Sequence, residues 1–204
     1  MGETGDRIGG GPGSSPTLAP ARVSPQRLLS GIGSLAIQWA KAMGSRVLAT
    51  AGTSHKVARS IELGADIAIN YREEDFVTAV WEGTQGHGAD VILDIVGAPY
   101  LTRNVRALAP DGRLVMIGGD VSPTVLGIGE LMAKRASVTA TTLRSRSHRQ
   151  KAEIVDAVRT NLWPMVADGR VRPVVDSLVP MDCAAQAHQL LADGGVVGKV
   201  VLTP

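Results

Sequence analysis

Small residues recur at short spacing in a pattern that is typical of a nucleotide-binding turn. Gly31, Gly33 and Ala36 read as G-x-G-x-x-A and open an apolar helical segment that ends at Gly44. Small residues let the backbone approach a pyrophosphate, which then binds at the positive end of the helix. An isolated G-x-G-x-x-A is more often a packing feature. The apolar strand predicted over 46–50 favours a nucleotide contact at Gly31 and Gly33.

The end of that strand carries no carboxylate that could accept hydrogen bonds from a ribose. Positions 50–53 are Thr-Ala-Gly-Thr, and Lys56 follows them. A carboxylate here would repel a 2′-phosphate, whereas a lysine attracts it as a point charge. The pattern favours a phosphorylated dinucleotide. The alternative for Lys56 is a solvated charge on a helix.

Two further glycine positions follow predicted strands at the edge where open α/β sheets bind ligands. Gly97 follows the strand predicted over 90–96, and Gly118 follows the one over 113–117. Both could let the backbone approach a cofactor, and ordinary strand-to-helix turns explain them equally well. The four histidines are scattered and the chain has a single cysteine, Cys183, so we expect no metal site. No catalytic side chain is predicted.

Helical and strand patterns alternate along the chain, which predicts an α/β fold with a doubly wound parallel sheet. The strands are predicted over 46–50, 67–69, 90–96, 113–117 and 137–142, and helices over 54–63, 75–81 and 100–108. A longer helix is predicted over 150–166, with Ile154, Val155, Val158 and Leu162 on one face. A strand, a helix and a strand over 174–178, 181–191 and 199–202 complete the chain.

Composition bounds the remaining possibilities. The first 28 residues are rich in Gly, Pro, Ser and Arg, so we expect a disordered or atypical leader over 1–28. A net charge of +2 gives no reason to expect a nucleic-acid partner, and no apolar run is long enough to span a membrane. The N-terminus does not read as a secretory signal. We therefore expect a soluble cytoplasmic protein.

From about Ser30 onward the sequence resembles the zeta-crystallin-like quinone oxidoreductases. These are zinc-independent members of the medium-chain dehydrogenase/reductase superfamily. The matching segments are SGIGSLAIQWAKAMG, LATAGTSHK, LGADIAINYREEDF, GADVILDIVG, LAPDGRLVMIGG, TLRSRS and GKVVL. The resemblance implies a Rossmann-like NADP-binding domain over 29–170. Residues 171–204 would be a C-terminal strand-helix-strand returning to a GroES-like barrel that this sequence lacks. The first Rossmann strand is expected to be degraded, because Pro25 is unfavourable in a central strand and Leu28 replaces the family's first glycine.

The resemblance also implies the function and the site. Lys56 and Tyr71 match the residues that hold the 2′-phosphate of NADPH in the family, and Gly52 lies in the same segment. Arg144 and, less clearly, Lys199 match positions that line the cofactor cleft. The implied activity is hydride transfer from NADPH to a quinone or an activated enone. The alternative is a catalytically silent fragment that at most binds NADP(H). A homodimer would form through the edge of the Rossmann sheet, near 121–131 and 137–142.

Overall fold

The computed structural model describes residues 23–25 and 31–204. Eight helices in these ranges follow the chain as α1 (Gly31–Ala42), α2 (Ser54–Glu62), α3 (Phe76–Gly83), α4 (Leu101–Ala107), α5 (Ile128–Lys134), α6 (His148–Asn161), α7 (Trp163–Ala167) and α8 (Ala184–Ala192). The strands are β1 (Val23–Pro25), β2 (Leu48–Ala51), β3 (Ile67–Asn70), β4 (Ala89–Asp94), β5 (Leu108–Met116), β6 (Ser137–Ala140), β7 (Val175–Pro180) and β8 (Lys199–Thr203). Helices and strands alternate as predicted, with boundaries that differ by a few residues.

The strands pair in parallel throughout the described residues. One sheet has the order β1-β4-β5-β6, and β2 pairs with β3 beside it. Because β1 also approaches β2, the strands follow one another as β3-β2-β1-β4-β5-β6. This is the order of the doubly wound dinucleotide-binding fold. The predicted fold class is therefore confirmed.

The short strand β1 falls inside the stretch that we expected to be a leader. Its three residues pair with β4, from Val23 opposite Val91 to Pro25 opposite Leu93. Pro25 occupies the last position of this strand. The rest of the predicted leader, including Leu28, lies outside the described residues.

The core packs helices α3 and α4 against the central strands. Phe76 and Val80 on α3 and Ile92 and Leu114 on the sheet are fully buried. A smaller cluster beneath α1 contains Ile37, Val47, Ala49 and Ala65. The three- and four-residue spacing of Ile32, Leu35, Ala36, Trp39 and Met43 predicts that these residues form the apolar face of α1, but Ile32 and Met43 are about half exposed. Gly33, Ser34 and Ile37 are buried instead, since small residues bring this helix close to the sheet.

The single helix predicted over 150–166 is wrong, because the chain forms two helices here. The helix α6 stops at Asn161, and α7 begins at Trp163 with Pro164 in its first turn, a position that proline favours. The apolar face of α6 is open, because α6 has no buried residue and Val155 is 54% exposed. Leu162, at the junction of the two helices, is buried. The predicted apolar periodicity is present, but no described element packs over this face of α6.

Strands β7 and β8 form a separate parallel pair connected by α8. Two hydrogen bonds between Gln38 and the Arg172 backbone, each 3.0 Å, attach this C-terminal segment to α1. A third contact runs from the Lys56 ammonium to the Gly194 carbonyl. These contacts bring the loop after α8 to the carboxyl ends of β2 and β3. Among the described helices, none combines the length and the apolar character that crossing a bilayer requires.

Candidate functional site

The carboxyl ends of β1 to β6 face the same edge of the sheet because all of these strands are parallel. Gly52 follows β2, Tyr71 follows β3, Gly97 is close to the end of β4, and Gly118 is close to the end of β5. The N-terminus of α1 opens onto the same edge, since this helix precedes β2 in a parallel arrangement. Five of the predicted site residues, counting Gly31, therefore lie along one rim.

A cleft of about 620 Å³ lies at the end of β2 and β3. Its walls include Gly52, Lys56 and Tyr71, three of the residues predicted to bind the cofactor. Arg72 and His55 also line this cleft, and so does the loop 193–195 of the C-terminal segment. We refer to this space as the β2–β3 cleft. The three predicted residues line one cleft, together with Arg72 and Asp193, which the sequence analysis did not single out.

Gly52 gives the cleft its shape because a side chain at this position would displace Tyr71. A Cβ atom built on Gly52 would collide with the Tyr71 hydroxyl oxygen and lie 2.8 Å from Cζ of the ring. Thr53 follows as the N-cap of α2, and its hydroxyl accepts a hydrogen bond from the Lys56 backbone N–H at 3.3 Å. This cap fixes the first turn of α2. Lys56 therefore points from a defined position into the β2–β3 cleft.

The charge in the cleft is predominantly positive. Lys56 and Arg72 are its two permanent cations, and Asp193 is the one carboxylate among the residues that line it. The Lys56 ammonium donates to the Gly194 carbonyl at 2.6 Å, a neutral partner that leaves its charge uncompensated. The end of β2 contributes Thr50 and Ala51, both buried, and no acid. The cleft is therefore suited to an anion.

A further cation, Lys199, lies at the N-terminus of α1. A Cβ atom on Gly31 would collide with the Lys199 side chain, and it would lie 2.7 Å from the ammonium nitrogen. The N-terminus of a helix carries a partial positive charge, so a lysine at this point is electrostatically unfavourable by itself. An anion between the two would relieve that repulsion. Gly31 and Lys199 also line an apolar cavity of about 300 Å³ with Leu35 and Leu162.

Gly97 has a clear local role. Its φ is +85°, and a Cβ atom there would collide with the Asp120 backbone. The loops after β4 and β5 are joined by hydrogen bonds from Ala98 N–H to Asp120 O at 2.9 Å and from Asp120 N–H to Val96 O at 2.8 Å. Gly97 thus lets the two loops meet, and its role as a cofactor contact stays a prediction.

Asp94 supports this junction and was missed by sequence reasoning. Its carboxylate is fully buried and accepts hydrogen bonds from the backbone N–H groups of Val96, at 2.7 Å, and Gly97, at 3.0 Å. Burial raises the pKa of Asp94 above its ordinary value, against the lowering effect of those two donors. An acid directly after the apolar residues 91–93 of a strand, as in VILD, was the available signal.

The remaining predicted residues are distributed along the rim. Gly118 lines a cavity of about 430 Å³ together with Ser122, Thr141 and Thr142, at the ends of β5 and β6. Arg144 lies in the exposed loop after β6, where its carbonyl accepts a hydrogen bond from Lys151 Nζ at 3.2 Å. Arg144 does not belong to the lining of the β2–β3 cleft. Gly33 is buried within α1 and contributes to close packing.

Within the described ranges, no group of three or more His, Cys, Asp or Glu side chains is arranged to hold a metal ion. Cys183 is a free, exposed thiol before α8. The expectation that the chain has no metal site stays a prediction for the sequence as a whole.

Comparison with known families supports the fold. Residues 31–160 match the family model described as zinc-binding dehydrogenase, which covers α1 through most of α6. A curated relative, quinone oxidoreductase 1 of Escherichia coli K12, is 31% identical over 179 residues, or 85% of this chain and 54% of the relative. The chain spans about half the length of the curated quinone oxidoreductases that it matches. The resemblance stated from the sequence is confirmed.

Solved structures give the same architecture. Escherichia coli quinone oxidoreductase in complex with NADPH superimposes with a TM-score of 0.76 at 29% identity, covering 91% of this chain and 57% of the other. An NAD-dependent alcohol dehydrogenase superimposes with a TM-score of 0.75 at 34% identity, covering 90% of this chain and 51% of the other. These two neighbours are described with different dinucleotides.

Proposed function

The chain belongs to the zinc-binding dehydrogenase family, and from this premise we propose that it binds NADPH at the rim of its parallel sheet. In the whole protein, the cofactor would transfer a hydride to a quinone or an activated enone. The coarser statement, that the family is one of NAD(P)-dependent oxidoreductases, agrees with the relatives. The quinone or enone acceptor and the choice of NADPH are the proposal.

The observation that carries the proposal is the composition of the β2–β3 cleft. A ribose-binding carboxylate is missing from the end of β2, Lys56 provides a cation, and Gly52 leaves room for Tyr71. A 2′-phosphate requires positive charge and hydrogen-bond donors here, whereas an unmodified ribose favours an acid. The residues present fit NADPH better than NADH. Neighbouring structures do not decide this choice, because their descriptions include both dinucleotides.

Each part of the proposed site has a defined task. Lys56 and Tyr71 would hold the 2′-phosphate, with Gly52 shaping the space. The N-terminus of α1, with Gly31 and the Lys199 ammonium, would bind the pyrophosphate. Bound NADPH supplies the hydride, which is the demanding chemical step.

The ends of β4 and β5 would position the nicotinamide half. Asp94 and Gly97 hold the two loops together there, and Gly118 has open space above its Cα atom. Hydride transfer depends on placing donor and acceptor carbons at the correct distance more than on a protein nucleophile. The junction of the two loops would contribute to hydride transfer by orienting the nicotinamide half of the cofactor. Gly33 fits this scheme by bringing α1 close to the sheet, and Arg144 by lying in the loop after β6.

We propose that residues 29–170 form the cofactor domain and that 171–204 belong to a second unit in the whole protein. A homodimer through β6 is part of the same proposal. This strand is exposed at the sheet edge, and the loop before α5 presents the apolar side chains of Val121, 95% exposed, and Val125, 80% exposed. Exposed apolar patches of this kind often mark interfaces.

A second candidate is nucleotide binding without turnover. It is favoured by the placement of the β2–β3 cleft and of the cavity beside Gly118 at the dinucleotide rim, in a chain that spans about half the length of its relatives. Acceptor binding then depends on surfaces that the described residues do not supply.

Quinone-dependent NADPH oxidation separates the two candidates. The purified chain is mixed with NADPH and 1,4-benzoquinone, absorbance of the reduced nicotinamide is followed, and NADPH binding is measured in parallel. Binding with turnover above the no-protein control supports the oxidoreductase. Binding without turnover supports the second candidate. Absence of NADPH binding contradicts both.

A further inference from the structure

Two charged side chains of the β2–β3 cleft are not accounted for by Lys56 and Tyr71. Arg72 directly follows Tyr71 after β3, and Asp193 belongs to the loop after α8. They carry opposite charges and enter one cleft from different parts of the chain. A ligand phosphate in this space would interact with both.

The Arg72 side chain is available for a ligand. Its Nε atom is 3.3 Å from the Cβ position of Gly52, so the guanidinium group lies directly at the cleft floor. Its backbone N–H is fixed by the Asn70 side-chain oxygen at 3.2 Å. Among the described residues, Arg72 takes part in no ion pair, whereas nine other ion pairs are formed. Its planar group could bind a phosphate through two hydrogen bonds, which a lysine ammonium cannot match in geometry.

Asp193 places a fixed negative charge in the same cleft. One of its carboxylate oxygens accepts a hydrogen bond from Gln189 Nε2 at 2.7 Å, which orients the side chain from α8. The neighbouring Gly194 carbonyl holds the Lys56 ammonium. The loop therefore competes with a ligand phosphate twice, by repulsion from Asp193 and by occupying Lys56.

We propose that Arg72 is the second cation that binds the 2′-phosphate and that Asp193 opposes it. This pair would then set how strongly the cleft discriminates between phosphorylated and unphosphorylated adenosine. The inference rests on the proposed NADPH site and adds a specificity determinant supplied by the C-terminal segment. Removing the Arg72 charge weakens the discrimination between phosphorylated and unphosphorylated adenosine, and removing the Asp193 charge strengthens it.

The test is calorimetric binding of adenosine 2′,5′-bisphosphate and 5′-AMP to the full chain. Arg72→Met lowers affinity for the bisphosphate about tenfold, as expected for loss of charge-assisted hydrogen bonds, and leaves 5′-AMP within about twofold. Arg72→Lys, which retains the charge without the fork, loses less. Asp193→Asn raises bisphosphate affinity roughly threefold at low ionic strength, because a nearby repulsion is removed. Arg159→Met, an exposed arginine on α6, is the matched control and changes neither ligand.

The possible failures are distinguishable. Equal binding of both ligands to the unaltered chain, or no binding, overturns the NADPH proposal together with this inference. Preference for the bisphosphate that survives Arg72→Met overturns the inference alone. Asp193→Asn with unchanged or weaker bisphosphate binding also contradicts it. Thermal unfolding of each variant shows whether the fold is retained, and Arg72→Lys carries the test if Arg72→Met does not fold.

Discussion

At the scale of single residues, the types of the side chains in the site can be read from the sequence, but their contacts cannot. The missing acid after β2 and the lysine at position 56 are readable as charge and spacing. Their meeting with Tyr71 was inferred only through family resemblance. Arg72 and Asp193 could not be paired from the sequence, because 121 positions separate them and the fold alone brings them into one cleft.

Asp94 illustrates a residue whose role emerges only from burial. The sequence shows an acid at the end of an apolar strand, and the structure shows that it holds the β4 loop through two backbone donors. Asp94→Asn keeps the shape but provides only one acceptor oxygen. The other donor then faces an amide NH₂ group. We expect a loss of about 1–3 kcal/mol in the free energy of unfolding at neutral pH, measured by denaturant titration.

The loss of unfolding free energy in Asp94→Asn should change with pH in one direction. Because the folded-state pKa of Asp94 is raised, the folded state retains its proton at pH values where the unfolded state has released it. The stability of the unaltered chain falls as pH rises from the ordinary aspartate value through the raised one. The deficit of Asp94→Asn is therefore largest at acid pH and shrinks across that window. A deficit that grows with pH would contradict the assignment.

At the scale of helices and strands, local sequence signals predicted which elements form better than they predicted which faces of those elements are buried. Gly44 and Gly64, both with positive φ, end α1 and α2 as expected of glycine. The break between α6 and α7 follows from Pro164, which the apolar period over 150–166 obscured. Which face of α1 is buried depended on the small residues that approach the sheet. The spacing of hydrophobic residues alone cannot show which face of α1 is buried.

The N-cap of α3 offers a test of one local signal. Asp75 accepts hydrogen bonds from the N–H groups of Val77 and Thr78, at 2.8 and 3.0 Å, and pairs with Arg103. Asp75→Ala should cost about 1 kcal/mol of unfolding free energy. Asp156→Ala, an exposed acid within α6, is the control and should cost much less.

Acid pH should remove the contribution of Asp75. The Thr78 N–H donor is the largest influence on the pKa of Asp75 and lowers it. Burial acts in the opposite direction, and Arg103 and the Val77 N–H lower the pKa further. A lowered folded-state pKa means that the stabilisation is present above the ordinary aspartate value and is lost as pH falls through the folded one. The difference between the unaltered chain and Asp75→Ala should therefore narrow on acidification. A constant difference would contradict the cap as its source.

At the scale of the whole molecule, the alternation of helices and strands along the chain predicted the parallel, doubly wound sheet. The sequence could not show that Val23–Pro25 pair with β4, because a proline in a short polar stretch carries no strand pattern. It also could not show how the C-terminal segment reaches the cofactor rim. That contact depends on the Lys56 and Gln38 hydrogen bonds, which join residues more than 130 positions apart.

The proposed dimer is tested by light scattering coupled to size exclusion. We expect a mass of about twice 21.2 kDa for the unaltered chain. Charges at the exposed edge, as in Val121→Asp combined with Val125→Asp, should return the monomer because they must be desolvated on association. Val155→Asp, on the exposed face of α6, should leave the dimer intact. A monomeric unaltered chain overturns the proposal.

The central question is whether this cleft selects a phosphorylated dinucleotide, and a fluorescence titration with NADPH and NADH in parallel answers it. The composition of the cleft predicts that NADPH binds about tenfold more tightly or better, because a charge-assisted phosphate contact is worth that factor. Lys56→Ala should reduce the preference by weakening NADPH binding alone. Lys41→Ala, whose lysine pairs with Asp66, should leave both affinities unchanged. Equal affinities in the unaltered chain, tighter binding of NADH, or a preference that Lys56→Ala leaves unchanged would contradict the proposed site.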